Sequence, residues 1–254
     1  MNPVVVRNLE IGVGMPKICV PIIEKKERDI IEFVRQLQDL PVDFVEWRAD
    51  WFEGIENWDS VRIVLLQLRA ILGDMPLLFT FRTRKEGGER ELPYHQYAEL
   101  LRQVAESKTA DLIDVELFVD EKVADLIDAL HAQGTKVIAS NHDFVATPEQ
   151  EEIVRRLCLM QEAGADIAKI AVMPQNEDDV KTLLAATREM ATFHTTTPVI
   201  TMSMGELGVV SRVMGEKVGS AVTFGCVGQA SAPGQMSVDI LKEIMEILHR
   251  NEKQ

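Results

Sequence analysis

Residues 136–172 read KVIASNHDFVATPEQEEIVRRLCLMQEAGADIAKIAV, and they contain one full period of the pattern on which the chain is built. A β-branched run begins at Lys136 and a second apolar run opens at Asp166. Between them, Thr147-Pro148-Glu149-Gln150 has the form of a capping-box helix start, with Thr147 as N-cap, Pro148 at the first helical position and Gln150 at the third. Strand, helix and parallel strand in about 30 residues make one crossover unit. Working outward, strand candidates begin near Lys17, Asp43, Leu77, Asp111, Lys136, Asp166, Pro198 and Ala221, about 29 residues apart on average. The stretches between are apolar at helical spacing, as at Ile30, Phe33, Val34 and Leu37, at Val180, Leu183, Leu184 and Thr187, and at Val238, Leu241, Ile244, Met245 and Leu248. Eight units predict an α/β protein, a (β/α)8 TIM barrel forming one domain over 1–254, with Val4 to Val13 left over as an N-terminal β-hairpin. An open doubly wound sheet is the alternative, but no strand-to-helix turn carries GxGxxG or the Walker lysine pattern.

The composition bounds the partners. Of 254 residues 46% are apolar, enough for a sizeable core and too many for a disordered chain. Lys plus Arg number 27 against 41 Asp plus Glu, a net charge of −14, so a sequence-independent nucleic-acid surface is not expected. The same bulk field repels a small anion, and an anionic substrate needs a local group of arginines. Cys19, Cys158 and Cys226 are far apart and form no CxxC pair, which argues against structural zinc or a disulfide framework. No segment reads as a secretory signal or approaches the ~20 apolar residues of a spanning helix. A cytoplasmic protein without membrane contact is expected.

Strands covered by helices are apolar on both faces unless something requires otherwise. Here polar residues fall on one parity: Phe44, Glu46 and Arg48 against Val45 and Trp47, and Thr80 and Arg82 against Phe79 and Phe81. Asp114 and Glu116 likewise oppose Ile113 and Val115, Ser140 and His142 oppose Val137 and Ala139, and Lys169 opposes Ala168 and Ile170. The polar parity should point into the barrel and toward its C-terminal mouth, where barrel enzymes place their sites.

Lys169 stands among Ile167, Ala168, Ile170 and Ala171. The plainer reading is a lysine paired inside the barrel to Glu116 or Asp114. The sharper one is a nucleophile, because apolar surroundings disfavour an ammonium and a free amine forms an imine with a ketone. Of five histidines, His95, His131, His194 and His249 fall on helices or their ends, and only His142 lies at a strand end on the inward parity. It is either a satisfied structural histidine or an acid and base beside the lysine. A glycosidase pair among Glu46, Glu86 and Glu116 is disfavoured, since bases alternate with Glu46 and Glu116. Arg48, Arg82, Arg84 and Arg212 at strand ends are ion-pair partners one by one, and together a carboxylate site. The loops Glu86-Gly87-Gly88-Glu89 and Gly228 to Gln235 are either plain connections or lids.

Glu46-Trp47-Arg48, Phe79-Thr80-Phe81-Arg82 with Lys85 to Glu89, Ile113-Asp114-Val115-Glu116, Ser140-Asn141-His142-Asp143-Phe144, Lys169 to Pro174, Met202-Ser203-Met204-Gly205, Ser211-Arg212 and Ser231-Ala232-Pro233-Gly234-Gln235 together resemble type I 3-dehydroquinate dehydratase, in order along nearly the whole chain. The resemblance implies a cofactor-independent lyase of the shikimate pathway, a barrel homodimer without a metal that turns 3-dehydroquinate into 3-dehydroshikimate and water. It makes Lys169 the Schiff-base lysine, His142 the general acid and base, and Glu86 the residue that orients His142. It gives the substrate carboxylate to Arg212 with Ser231 and Gln235, the ring hydroxyls to Glu46, Arg48 and Arg82, and an apolar wall to Met202, Met204 and Phe224. Pro21 and Asn141 depart from the family pattern, and Asn141, on the outward parity, is expected to stay clear of the chemistry. The rivals are a class I aldolase using the same lysine and a barrel that binds a small acid without catalysis.

Overall fold

Each strand starts within one residue of the position read from the sequence. The computed structural model describes residues 2–194 and 196–251. A hairpin of β1 (Val4–Val6) and β2 (Leu9–Ile11) precedes β3 (Lys17–Ile22), β4 (Phe44–Arg48), β5 (Leu77–Thr80), β6 (Leu112–Glu116), β7 (Lys136–Asp143), β8 (Ile167–Val172), β9 (Val199–Ser203) and β10 (Val222–Phe224). The connecting helices are α1 (Glu27–Gln36), α2 (Trp58–Leu72), α3 (Tyr94–Ser107), α4 (Val123–Ala132), α5 (Gln150–Glu162), α6 (Glu177–Glu189), the short α7 (Val209–Val213) and α8 (Gly215–Val218), and α9 (Val238–Asn251). The eight parallel strands run in the order β10-β3-β4-β5-β6-β7-β8-β9. The sheet is nearly closed, its last seam a bridge between Val199 and Ser220, with the Ala221 N–H donating to the Val199 carbonyl at 2.8 Å. None of the described helices is long and apolar enough to cross a membrane.

Three aspartates that precede alternate strands pin the base of the barrel. Asp43 accepts from the amide of Ile18 at 2.7 Å, Asp111 from Leu77 at 2.9 Å and Asp166 from Val137 at 2.8 Å, each satisfying the first free N–H of the neighbouring strand. Asp111 also accepts from Arg7 and Arg69, which ties the hairpin to the barrel.

The two parities part as expected. Val45, Trp47, Phe79, Phe81, Ile113, Val115, Val137, Ala139, Ala168 and Ile170 are buried against the helices. On the inward parity, Cys19, Phe44, Leu78, Leu112, Ile138, Ile167, Ile200 and Val222 form an apolar floor closed from below by Val4, Val6 and Ile11 of the hairpin. Two residues further along five of these strands the interior turns polar, at Glu46, Thr80, Asp114, Ser140 and Lys169.

The helix start at Thr147 is not as read. Helix α5 begins at Gln150 after Glu149, and the Thr147 hydroxyl is buried with no hydrogen-bond partner among the described residues. Asp143 accepts from the amides of Val145 and Ala146, both at 3.0 Å, and so holds the approach in a turn. The turn spans the residues just before the motif, and the helix starts two positions later than the motif suggests. Where a cap does form, Asn57 serves α2 and Asn176 serves α6.

Candidate active site

Above the floor, Lys169 projects from the middle of β8 and is 3% exposed. Its Nζ lies 3.6 Å from both Glu46 Oε1 and Asp114 Oδ2, beyond hydrogen-bond reach, and 4.5 Å from the centre of the Phe224 ring. Lys169 thus has two carboxylates near enough to feel and an aromatic face beneath it. Glu116, the other partner considered, is claimed elsewhere: it accepts from Arg82 Nη1 at 3.1 Å, the Thr83 amide at 2.8 Å and the Thr83 hydroxyl at 2.7 Å.

His142 reaches the same cavity from β7. Glu86 Oε2 accepts from the His142 backbone N–H at 2.9 Å and lies 3.0 Å from its Nδ1. When Nδ1 carries the proton toward Glu86, Nε2 is left as an acceptor. Burial holds the imidazole well below its ordinary pKa, and Arg82, Lys169 and Arg48 lower it further, so it is neutral at pH 7. Burial also pushes the Glu86 carboxyl up to about 7, with Glu116 adding to the rise and Arg82 opposing it. The four remaining histidines are peripheral: His95 is exposed, while His131, His194 and His249 pair with Asp166, Glu189 and Glu216.

The Glu86 loop is not a free lid. It is a tight turn in which Gly88 N–H donates to the Thr83 carbonyl at 2.8 Å and Glu89 N–H to Asp50 at 3.1 Å. Gly87 takes φ +84°, and a Cβ there would strike the Phe144 ring, so only glycine lets the turn close with Phe144 over the cavity. The second loop does cover the site. Gln235 accepts from the Ser231 amide at 2.8 Å and donates to the Ser231 hydroxyl at 2.9 Å, and both side chains line the cavity.

The arginines differ from expectation. Arg48 is held by Asp50 through two bonds of 2.8 Å, and Arg82 donates to Asp114 at 2.7 Å, Ser140 at 2.9 Å and Glu116. Burial works against both guanidiniums, and the adjacent carboxylates outweigh it, raising Arg82 and Arg48 above the usual arginine range. The mouth is therefore not an unopposed cationic patch, because buried acids partner its bases. Arg212 does not line the cavity. It is 2% exposed, donates to the carbonyls of Pro233 at 2.9 Å and Phe224 at 3.4 Å, and has an unpartnered Nε. Burial draws its pKa down to about 10, since no carboxylate faces it.

One cavity thus brings together Lys169, His142, Glu86, Glu46, Arg48, Arg82, Met202, Met204, Phe224, Ser231 and Gln235, and of the predicted set only Arg212 stays behind its wall. Ala171, Phe144 and Gly87 also line it. Strand parity singled out neither Phe144 nor Gly87, because both lie beyond strand ends. Asn141 lies on the helix-facing parity, bonded to Arg156 of α5, yet its Nδ2 also donates to Glu86 Oε1 at 3.1 Å. Asn141 does not itself line the cavity, as its parity predicts, but it stands one hydrogen bond away from a residue that does, because the Glu86 turn folds over the end of β7.

Barrels carry their chemistry at this end of the sheet, and a cavity whose carboxyl and imidazole groups are pushed off their ordinary values marks a barrel enzyme acting on a small molecule. Residues 18–252 match the model of the type I 3-dehydroquinase family, and the chain belongs to that family. It is 51% identical over 247 residues to the 3-dehydroquinate dehydratase of Clostridioides difficile, covering 97% of each chain, and 51% identical over 248 residues to that of Klebsiella pneumoniae, covering 97% of this chain and 99% of the other. The solved structure of type I 3-dehydroquinate dehydratase from Clostridium difficile with covalently modified comenic acid superposes with a TM-score of 0.96 at 50% identity, covering 98% of this chain and 99% of that one. The activity is that of a dehydratase acting on 3-dehydroquinate, a step of the shikimate pathway, and neither an aldolase nor a non-catalytic barrel.

Proposed function

We propose that the dehydration proceeds through an imine on Lys169. The observation that carries this reading is a buried lysine whose Nζ lies beyond hydrogen-bond reach of its two nearest carboxylates and shares one cavity with a neutral His142. The Lys169 amine attacks the C3 ketone, and the carbinolamine expels water to give a protonated imine. That cation withdraws electrons better than a ketone, so the C2 proton becomes acidic enough for a mild base. His142 Nε2 takes it, leaving an enamine. The enamine then expels the C1 hydroxyl, which leaves as water with the proton from His142, and hydrolysis of the imine releases 3-dehydroshikimate and free lysine. Positioned proton transfer of this kind contributes about 10²–10⁴ in rate. Each step uses groups of the chain and water, so the scheme calls for no cofactor or metal.

Glu86 fixes the tautomer of His142, and Glu46, Arg48 and Arg82 face the ring hydroxyls, with Met202, Met204 and Phe224 as the apolar wall. We assign the substrate carboxylate to Arg212 together with Ser231 and Gln235: an unpartnered Nε and two bonds to carbonyls leave the guanidinium donors to give once the Ser231–Gln235 segment shifts. That a relative carries covalently modified comenic acid supports a reactive nucleophile in such a site. A single catalytic domain, assembled as a homodimer in the cytoplasm, completes the proposal.

Borohydride added with 3-dehydroquinate tests the imine. A mass increase is expected on the peptide containing Lys169, absent when aldolase substrates replace dehydroquinate. Full activity with no adduct would overturn the mechanism.

A further inference from the structure

Glu86 is held from two sides, and only one of them is His142. Its Oε2 accepts from the His142 backbone N–H and faces Nδ1, while its Oε1 accepts from Asn141 Nδ2 at 3.1 Å. An asparagine amide has two faces that differ little in shape, one donating and one accepting. Turned the other way, it would set its carbonyl oxygen against the carboxylate. Arg156 removes that choice. Its Nη1 donates to Asn141 Oδ1 at 3.0 Å, and since a guanidinium has no acceptor, the carbonyl must face Arg156 and the NH2 must face Glu86. Arg156 is itself steadied on α5 by Glu152, whose Oε1 accepts from Nε at 2.7 Å, with Asp143 Oδ2 at 3.7 Å from Nη1. Asn141 is 9% exposed, so water competes little for these bonds.

We propose that Asn141, oriented by Arg156, is a positioning residue that keeps Glu86 an acceptor toward His142. The inference rests on the reading of His142 as the base. The groups acting on Glu86 are few and opposed: Arg82 at the end of β5 attracts its charge, Glu116 and Asp114 of β6 repel it, and the Asn141 amide stabilises it. With burial already holding the carboxyl near 7, loss of one donor moves it into the range where it keeps a proton at working pH. A protonated Glu86 no longer fixes which nitrogen of His142 carries the hydrogen.

The test compares wild type with Asn141→Leu, Asn141→Asp and Arg156→Met in two measurements: kcat/KM against pH, and the ¹³C carboxyl titration of Glu86 in ligand-free protein, assigned with Glu86→Gln. For Asn141→Leu and Arg156→Met, kcat/KM at pH 6.5 should fall about three- to tenfold and stay within about twofold of wild type at pH 9, as a rise of the Glu86 carboxyl by roughly half a unit to one unit from about 7 implies. The Glu86 titration should move to higher pH in both. Asn141→Asp keeps the size and the Arg156 contact but turns a second carboxylate toward Glu86, so it should move furthest and serves if the leucine variant fails to fold. An unmoved Glu86 titration would overturn the proposal, and so, where the wild type has an acid limb, would a uniform loss at every pH or superimposable profiles. A moved titration in a protein whose wild type shows no acid limb would instead sink the reading of His142 and leave the positioning role standing.

Discussion

The floor and the mouth of this barrel are built by the same inward-facing positions, two residues apart on the same strands, and they obey different rules. On the floor, Phe44, Leu78, Leu112, Ile138, Ile167 and Ile200 fill the space with hydrocarbon, and packing alone determines what is tolerated. At the mouth, Glu46, Thr80, Asp114, Ser140 and Lys169 are as deeply buried, yet every charge there must be answered by another. Arg82 is answered by Asp114 and Glu116, and Arg48 by Asp50, while Lys169 is approached by two carboxylates without being hydrogen-bonded to either. The difference shows where reactivity can reside: in a buried group left short of the hydrogen bonds that satisfy its neighbours.

The sharpest way to break the comparison is to make the mouth resemble the floor. Lys169→Met keeps the volume and removes the amine, and kcat for 3-dehydroquinate should fall on the order of 10⁴–10⁶-fold, measured by product absorbance under saturating substrate. A loss under tenfold would show that the amine is not the nucleophile. Damage to the floor should act on stability and not on chemistry. Phe44→Ala should lower the free energy of urea unfolding by about 3–5 kcal/mol through the lost burial and the cavity it leaves, with kcat unchanged in the folded protein. If kcat collapsed while the unfolding energy held, the separation of floor and mouth would be wrong.

The smallest effect sharpens the division of labour within the mouth. Folded His142 has its pKa below the ordinary 6.5, so as pH falls below 6.5 the unfolded chain takes a proton the folded one refuses, and stability is lost. Folded Glu86 has its carboxyl near 7 against an ordinary 4.5, so as pH falls through 7 the folded chain takes a proton the unfolded one does not, and stability is gained. The two slopes oppose each other between about pH 5 and 7. Relative to wild type, His142→Asn should therefore lose less stability on acidification and Glu86→Gln should lose more, as read from urea melts across that window. Curves that tilt the same way would contradict the opposite protonation preferences of the pair.

The −14 net charge was a poor guide to the site. It spoke against a nucleic-acid surface, but it did not foretell that buried Asp50, Asp114 and Glu116 would neutralise the very arginines expected to offset it. Thr147 was misread for a local reason, since the Asp143 turn engages the backbone just ahead of a capping motif that looks complete in one dimension. Asn141 keeps to the outer face as its parity has it, and only the turn carrying Glu86, 55 residues away in sequence, brings an acceptor to it.

What the sequence by itself determined was periodic or sequential: eight strand-helix units, the parity that separates interior from helix-facing residues, and the ordered motifs that identify the family. Those properties depend on neighbours along the chain, and neighbours along the chain are what a sequence lists. What only the tertiary structure decided was pairing: that Lys169 stands short of hydrogen bonds while Arg82 bonds Asp114, Ser140 and Glu116, that Arg212 lies behind the Ser231–Gln235 segment, and that Asn141 and Arg156 hold Glu86. Pairing is set by where side-chain ends meet across the sheet and its loops, and one ångström there separates a hydrogen bond from none.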